Sequence, residues 1–377
     1  MTVTQQALSD RAADERLKRL LSYVEADPTN SSLRADAAEQ ALNAGEPEIA
    51  RELLAVDREE LTDRELNLLG LANMQLRDFS GAAETFEGLI IRGAEDPAIK
   101  FNLAWSLAME KEFDRATELL SQEVTSALPQ AAMLRVQILH ERGEFDAAIE
   151  AAREYIEQFP SHEGLAAAVS VLALDIEDPE LARSTAKSAG NHPDALTTLG
   201  TLALGDQQVE QAVALFDEAL ERNDTVPRAW IGRGLARLLA NQADQATSDI
   251  DRGAELFGDH IGSWIAAGWA YLIAGDIAEA RRRFERALAI DENFAESHGS
   301  LAVVDVLQND EEAARKRIAV AKRLDKQCFS GAFAQTLLTA RQGRPDAAKA
   351  IFEKILQTPV NARGDTAAQA LARMGLR

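Results

Sequence analysis

The sequence predicts an all-α protein, a superhelical solenoid of about ten helix-turn-helix units with a capping helix at each end. Three observations predict this fold. Small and bulky apolar residues recur with a period of about 34 residues. Within each recurrence the apolar residues have helical spacing, without the alternation that is typical of strands. Glycine or asparagine returns with the same period between the two helical segments, as a helix end requires.

The period is clearest in the second half of the chain. Alanines follow one another there at equal intervals: Ala212, Ala246, Ala280, Ala314 and Ala348. A bulky apolar residue follows each alanine four positions later: Phe216, Ile250, Phe284, Ile318 and Phe352. Residues four apart share one face of an α-helix, so the two series predict the buried face of a repeated helix.

Two further series predict a turn and a close helix contact. Glycine and asparagine adopt the left-handed conformation that ends a helix, and they recur with the same period at Asn241, Gly275, Asn309 and Gly343. We therefore expect a tight turn in the middle of each unit. A missing side chain lets two helices approach each other, and the same interval separates Gly200, Gly234 and Gly268.

The repeats extend towards the N-terminus, with a slightly shorter spacing at some steps. The predicted units begin near Ser31, Asp63, Pro97, Pro129, Glu163, Pro193, Pro227, Ile261, Ala295 and Phe329. This predicts an N-terminal capping helix in residues 1–30, N-terminal units in 31–192, C-terminal units in 193–362 and a C-terminal capping helix in 363–377. The least regular units are expected in residues 129–192.

The unit that begins at Ile261 resembles the tetratricopeptide repeat family. It carries the family's residue types at Trp264, Gly268, Tyr271, Ala280, Phe284 and Ala287. The resemblance covers residues 31 to 360, which is nearly the whole chain. It implies pairs of amphipathic helices that bury their apolar faces by stacking on the next pair. It also implies a concave surface lined by the first helix of each unit.

The inner positions of these first helices are apolar in the C-terminal units and predict a peptide-binding groove. The groove residues are Ile231, Leu235, Leu238, Ile265, Trp269, Leu272, Val303, Val306, Phe333 and Leu337. Apolar surface beyond what the core needs usually marks an interaction site. The alternative is that these side chains pack against neighbouring first helices or against the C-terminal helix. We expect Trp264 to be a core residue and Trp269 to line the groove.

The charge of the chain is strongly negative and unevenly distributed. There are 62 acidic and 40 basic residues, a net charge of −22, which disfavours binding to nucleic acid or anionic lipid. Residues 310–377 nevertheless carry a net charge of +6. A candidate patch for an acidic partner is formed by Arg315, Lys316, Arg317, Lys322, Arg323 and Lys326. The alternative is that these residues are solvated helix faces.

Signatures of catalysis and of cofactor binding are missing from the sequence. It contains no phosphate-binding loop, no nucleophile elbow and no H-E-x-x-H motif. The five histidines have no metal-ligand spacing, and Cys328 is the single cysteine. No apolar stretch reaches the length of a membrane helix. We therefore expect a cytoplasmic protein without metal, cofactor, membrane insertion or enzymatic activity, and we expect Cys328 to be an inert thiol.

The sequence thus predicts an interaction protein. The main hypothesis is a scaffold, adaptor or chaperone that binds a peptide or amphipathic helix of another protein in the concave groove. The second hypothesis is self-assembly, in which the basic C-terminal surface of one copy contacts the acidic N-terminal surface of the next.

Overall fold

The computed structural model describes the backbone of residues 3–357 and the side chains of residues 15–354, 356 and 357. The predicted C-terminal capping helix, residues 363–377, lies outside the described residues. Helices without any strand make up the secondary structure of the described part of the chain. The all-α prediction is confirmed.

The N-terminal helices are α1 (Val3–Ala26), α2 (Ser31–Asn43), α3 (Pro47–Leu53), α4 (Asp63–Gln75), α5 (Phe79–Ile91), α6 (Pro97–Met109), α7 (Phe113–Leu119), α8 (Gln122–Ala127), α9 (Pro129–Glu141), α10 (Phe145–Gln158), α11 (Glu163–Asp175) and α12 (Pro179–Ser188). The later helices are α13 (Pro193–Gly205), α14 (Val209–Arg222), α15 (Pro227–Leu239), α16 (Ala243–Phe257), α17 (Ile261–Ala274), α18 (Ile277–Ile290), α19 (Ala295–Leu307), α20 (Glu311–Leu324), α21 (Phe329–Arg341) and α22 (Pro345–Leu356).

Every predicted unit start coincides with the first residue of a helix. These helices are α2, α4, α6, α9, α11, α13, α15, α17, α19 and α21, and each is followed by a second helix of its unit. Proline is the first residue of α6, α9, α13 and α15. It is favoured there because the first amide of a helix has no intrahelical partner.

The turn inside each unit contains one residue with positive φ. The four predicted turn residues are confirmed, with φ of 58° at Asn241, 86° at Gly275, 65° at Asn309 and 75° at Gly343. The same conformation occurs in earlier units at residues that have a full side chain: Arg77, Lys111, Glu177 and Gln207. Residue chemistry does not predict these four, because the conformation is unfavourable for them. Backbone hydrogen bonds hold the turn, as from Asp78 N to Asn73 O at 2.9 Å.

An irregularity occurs in the unit from Pro97, which precedes the range 129–192 where the sequence predicts the least regular units. The second helix of the unit from Pro97 is broken into the short helices α7 and α8. The break leaves the carbonyl of Leu120 without a helical partner, and Arg135 Nη1 donates to it at 2.7 Å. A side chain from the following unit therefore compensates the interruption.

The chain divides into two compact units, Met1–Ala168 and Val169–Arg377. The boundary falls inside α11, and the C-terminal half of this helix contacts α13, where Ser170 Oγ and Thr198 Oγ1 are 2.9 Å apart. Each of these two large parts of the chain has its own apolar core. In the second part, Phe284 is fully buried, and a Cβ added at Gly268 would overlap its ring. The predicted role of this glycine in close helix packing is confirmed.

Candidate functional site

The predicted groove residues differ widely in exposure. Leu235 is exposed at 41%, whereas Val303 and Val306 are each exposed at only 1%. The other groove residues are partly buried: Ile231, Leu238, Ile265, Trp269, Leu272, Phe333 and Leu337. These groove residues, which we call the inner stripe, are therefore most exposed at Leu235 of α15 and are buried at Val303 and Val306 of α19.

The prediction that Val303 and Val306 line an open groove is wrong. Both belong to an apolar core with Ala334 and Leu338 of the next first helix. The helices α19 and α21 approach very closely, because a Cβ added at Gly299 would overlap the backbone N of Gly331. Such an approach leaves no space for a ligand over the two valines.

Trp269 is packed between helices, which corrects the expectation that it is surplus to the core. Its ring lies 5.9 Å from the ring of Phe284 on α18 and 6.0 Å from that of Phe333 on α21. Phe333 in turn lies 6.5 Å from Phe352 on α22. The contacts with Phe284 and Phe352 lie within single repeats, whereas the contact between Trp269 and Phe333 joins two first helices that have one repeat between them.

Trp264 has a more local role than Trp269. Its indole Nε1 donates to Gly258 O at 2.7 Å, at the end of α16, and Arg286 lies 5.9 Å above its ring. The side chain is partly buried. Both tryptophans therefore contribute to packing, so the expected division between a core tryptophan and a groove tryptophan does not hold.

The predicted basic patch separates into two sets. Arg315 pairs with Glu311 at 2.8 Å, Lys316 pairs with Glu312 at 2.6 Å, and Arg317 Nε lies 3.0 Å from Asp305 Oδ2. In the described part of the chain, the remaining three have no ion-pair partner and are exposed: Lys322, Arg323 and Lys326. Only this second set offers free positive charge to an acidic partner.

The structure also contains buried ion pairs that the sequence analysis missed. Asp249 on α16 is only 3% exposed. It accepts hydrogen bonds from Arg233 Nε at 2.9 Å and Arg237 Nη1 at 2.6 Å, both from α15. Arg233 also donates to Asp217 of the preceding unit at 2.7 Å. Burial opposes the charged guanidinium, but the hydrogen bonds to Asp249 and Asp217 outweigh it and raise the pKa of Arg233.

Related hydrogen-bonded side chains join the next two pairs of consecutive repeats. Tyr271 Oη donates to Asp251 Oδ2 at 2.7 Å, and Arg283 Nε donates to the other oxygen of Asp251 at 2.8 Å. Burial, and then the hydrogen bond to Asp251, raises the pKa of Tyr271. In the following unit, the buried Asp305 accepts from Arg281 Nη2 at 2.6 Å.

A signal for these ion pairs exists in the sequence. The partners that face each other within a unit fall into two series with the period of the repeat, Arg237, Tyr271, Asp305 and Asp249, Arg283, Arg317. The first and third units therefore keep a pair of opposite charges in reversed order, Arg237 with Asp249 and Asp305 with Arg317, whereas in the middle unit Arg283 lies 5.0 Å from the centre of the Tyr271 ring. An analysis restricted to apolar positions does not detect this pattern.

A cavity of about 630 Å³ lies between α20, α21 and α22. Cys328 lies in its wall, where Sγ donates to Ala295 O at 3.4 Å and accepts from Gly331 N at 3.3 Å. Burial of the thiol, and then the negative charge of Glu296, raises its pKa to about 12. The thiol is therefore protonated at neutral pH, which agrees with the expectation of an inert cysteine.

Three of the histidines cap helices. Their Nδ1 atoms accept a backbone N–H in the first turn of α11, α13 and α17, and the residues are His162, His192 and His260. Within the described residues, no cluster of three histidine, cysteine or carboxylate side chains has the geometry to bind a metal ion. The described helices also include none with the length and apolarity required to span a bilayer.

Comparisons with known proteins agree with this architecture. A family model described as tetratricopeptide repeat matches residues 67–130, 112–163 and 197–258, and a second such model matches residues 261–294. No curated protein sequence matches the chain significantly.

Solved structures with a similar fold have low sequence identity to the chain. The human IFIT1 dimer with PPP-AAAA is 14% identical, with a TM-score of 0.54 over 91% of this chain and 93% of that one. PilF of Pseudomonas aeruginosa is 18% identical, with a TM-score of 0.45 over 54% of this chain and 94% of that one. The family models together span more than half of the sequence, and their matches agree with the helix pairs described above. The chain therefore belongs to the tetratricopeptide repeat family.

Proposed function

We propose that the chain is a non-enzymatic interaction scaffold, acting as an adaptor or chaperone, that binds a peptide or amphipathic helix of another protein. The inner face of α15 carries this proposal. Leu235 is 41% exposed there, and Ile231 and Leu238 are partly buried on either side of it. An exposed leucine between partly buried apolar residues is the kind of surface into which a partner's apolar side chain packs.

The available surface is smaller than the groove that the sequence predicts. Ile231 lies over Gly253 of α16, and Leu238 packs against the cluster of Ile250. Their side chains form a stable floor, and Leu235 stands above it. A rigid floor with one accessible leucine favours the binding of one apolar anchor side chain from a partner's helix or short peptide. The net charge of −22 makes nucleic acid an unfavourable partner.

A selection from a random dodecapeptide library on the full chain tests this proposal. The affinity of a selected peptide is then measured by fluorescence anisotropy. We expect Leu235→Asp to weaken binding by about tenfold or more, since an interface anchor contributes on the order of 2 kcal/mol. The matched control is Leu324→Asp, because Leu324 is 37% exposed on the second helix α20. Failure to enrich any peptide, or equal effects of the two substitutions, would reject the proposed site.

Self-association is a second candidate function. It is supported by the net charge of +6 in residues 310–377, against −28 in residues 1–309. The exposed Lys322, Arg323 and Lys326 supply unpaired positive charge in the described structure. Head-to-tail contacts of this kind produce rings or filaments. Light scattering at low and high salt tests it, and a monomer at every salt and protein concentration would reject self-association.

A further inference from the structure

The cavity between α20, α21 and α22, which we call the outer pocket, combines an apolar floor with a cationic rim. Its volume of about 630 Å³ is within the range of pockets that bind ligands. The floor and the rim are formed by Ile318, Phe329, Ala332 and Ile351, and by Lys322 and Lys326. Such a lining suits a ligand that has both an apolar group and a negative charge.

The outer pocket lies on a different face of α21 from the inner stripe. Ala332 and Gln335 line the pocket, whereas Phe333 and Leu337 belong to the stripe. Successive residues of an α-helix are rotated by about 100°, so these two pairs point in clearly different directions. A ligand in the outer pocket would therefore leave the inner stripe free.

The carboxylates around the outer pocket are already engaged, whereas two of its lysines are not. Glu296 accepts from Phe329 N at 2.6 Å and from Ser330 N at 3.1 Å, and so satisfies the first amides of α21. Asp325 Oδ1 accepts from Gln327 N at 2.8 Å. Lys322 and Lys326 have no ion-pair partner among the residues that the structure describes. Their ammonium groups are therefore available to an incoming carboxylate.

We propose that the outer pocket binds an acidic peptide segment of a partner protein. One apolar side chain of the peptide occupies the floor, and an adjacent Asp or Glu contacts Lys322 and Lys326. This inference rests on the proposed scaffold function and names a second surface for it. A small polyanion is a poorer fit, because Asp325 and Glu296 also line the cavity. Because the whole chain has a net charge of −22, the two lysines attract an acidic group only over a short distance. The pocket therefore favours a ligand whose negative charge lies next to an apolar group.

Methyl NMR of the full chain with labelled isoleucine tests this proposal. The probes are a nonapeptide with one leucine flanked by Asp and Glu, the same peptide with lysine at every acidic position, and the acidic peptide with serine in place of leucine. We expect the first peptide to shift the methyl signals of Ile318 and Ile351. The signals of Ile231 and Ile265, which report on the inner stripe, should not move.

The variants separate the pocket from general charge effects. Replacing Lys322 and Lys326 with glutamine should weaken binding of the acidic peptide by about tenfold or more. Arg323→Gln is the matched control, because Arg323 is an exposed and unpaired neighbour on α20 that does not line the pocket. It should keep the affinity, and far-ultraviolet circular dichroism should show that all the variants are folded.

Several outcomes would overturn the inference. These are equal shifts with the lysine or serine peptide, no shift of Ile318 and Ile351, or the same shifts with inorganic phosphate alone. Shifts that appear on concentrating the chain without peptide would assign the pocket to a second copy. If a library-selected peptide moves Ile231 and Ile265 while the acidic probe leaves Ile318 and Ile351 unmoved, the proposed function stands and the outer pocket fails. If no selected peptide binds at the inner stripe while the acidic probe moves Ile318 and Ile351, the inner site fails and the outer pocket stands.

Discussion

Leu235 on α15 and Val303 on α19 occupy the same place in their repeats, with one repeat between them. Their exposures are nevertheless 41% and 1%. The difference arises from what lies beside each helix. Next to α19, Gly299 and Gly331 allow backbone contact, and Ser300 Oγ donates to Ser330 Oγ at 3.2 Å. The inner face closes there because the first helices are so near to each other.

The region around α15 is organised by charge instead. Arg233 forms ion pairs with Asp217 of α14 and Asp249 of α16, and Arg237 also pairs with Asp249. The guanidinium group of Arg233 lies 4.6 Å above the ring of Trp230 as well. The comparison teaches that the position in the repeat does not determine exposure. At α19, the close approach of the next first helix turns this position into core.

The largest effect is expected from Trp269→Ala. Because Trp269 contacts both Phe284 and Phe333, the substitution should lower the free energy of unfolding by about 3 to 5 kcal/mol. Urea denaturation followed by circular dichroism measures this loss. Trp264→Ala should be destabilising on a similar scale. A much smaller loss for Trp269→Ala than for Trp264→Ala would mean that the inner face near α19 is open after all.

Asp249→Ala probes the charged junction at α15. The substitution leaves Arg233 and Arg237 without their shared partner, and we expect the free energy of unfolding to fall by about 2 to 3 kcal/mol. This loss is below the usual range for a fully buried ion pair because both guanidinium groups reach solvent. Thermal unfolding compares it with Asp259→Ala, which removes an exposed partner of Arg286 and should have little effect. Similar losses in the two variants would contradict a structural role for the buried pair.

Gly299→Ala tests the close contact at α19. The new methyl group would overlap the backbone N of Gly331, and we expect a loss of about 1 to 3 kcal/mol from overpacking. Gly205→Ala is the control, because Gly205 ends α13 with open space around it. That change should stabilise the protein by up to about 1 kcal/mol. A gain of stability in Gly299→Ala would show that α19 and α21 are further apart than described.

Leu235→Ala should have the smallest effect on stability. Because Leu235 is 41% exposed, we expect the free energy of unfolding to fall by about 0.5 kcal/mol. Val303→Ala removes a smaller side chain but should be more destabilising, since it leaves a cavity in the core. Parallel urea titrations of the two variants measure the contrast directly. The reverse order would invalidate the distinction between the two helices.

The sequence alone determined most of the local structure. Proline, glycine and asparagine at equal intervals predict where helices begin and turn, and the structure confirms the turns at Asn241 and Gly275. The turns at Arg77 and Lys111 have the same positive φ without the residue types that favour it. In those units the hydrogen bonds of the turn impose the conformation, and residue chemistry does not reveal it.

Only the tertiary structure decided which inner residues remain accessible. Periodicity places Leu235, Trp269 and Val303 on one helix face, because that depends on the geometry of a single helix. Their exposure depends on the distance between helices from different units, and Gly299 makes this distance very short between α19 and α21. The outer pocket likewise requires α20, α21 and α22 to be placed together. The sequence determined which faces are apolar, and packing between units decided which of them a partner can reach.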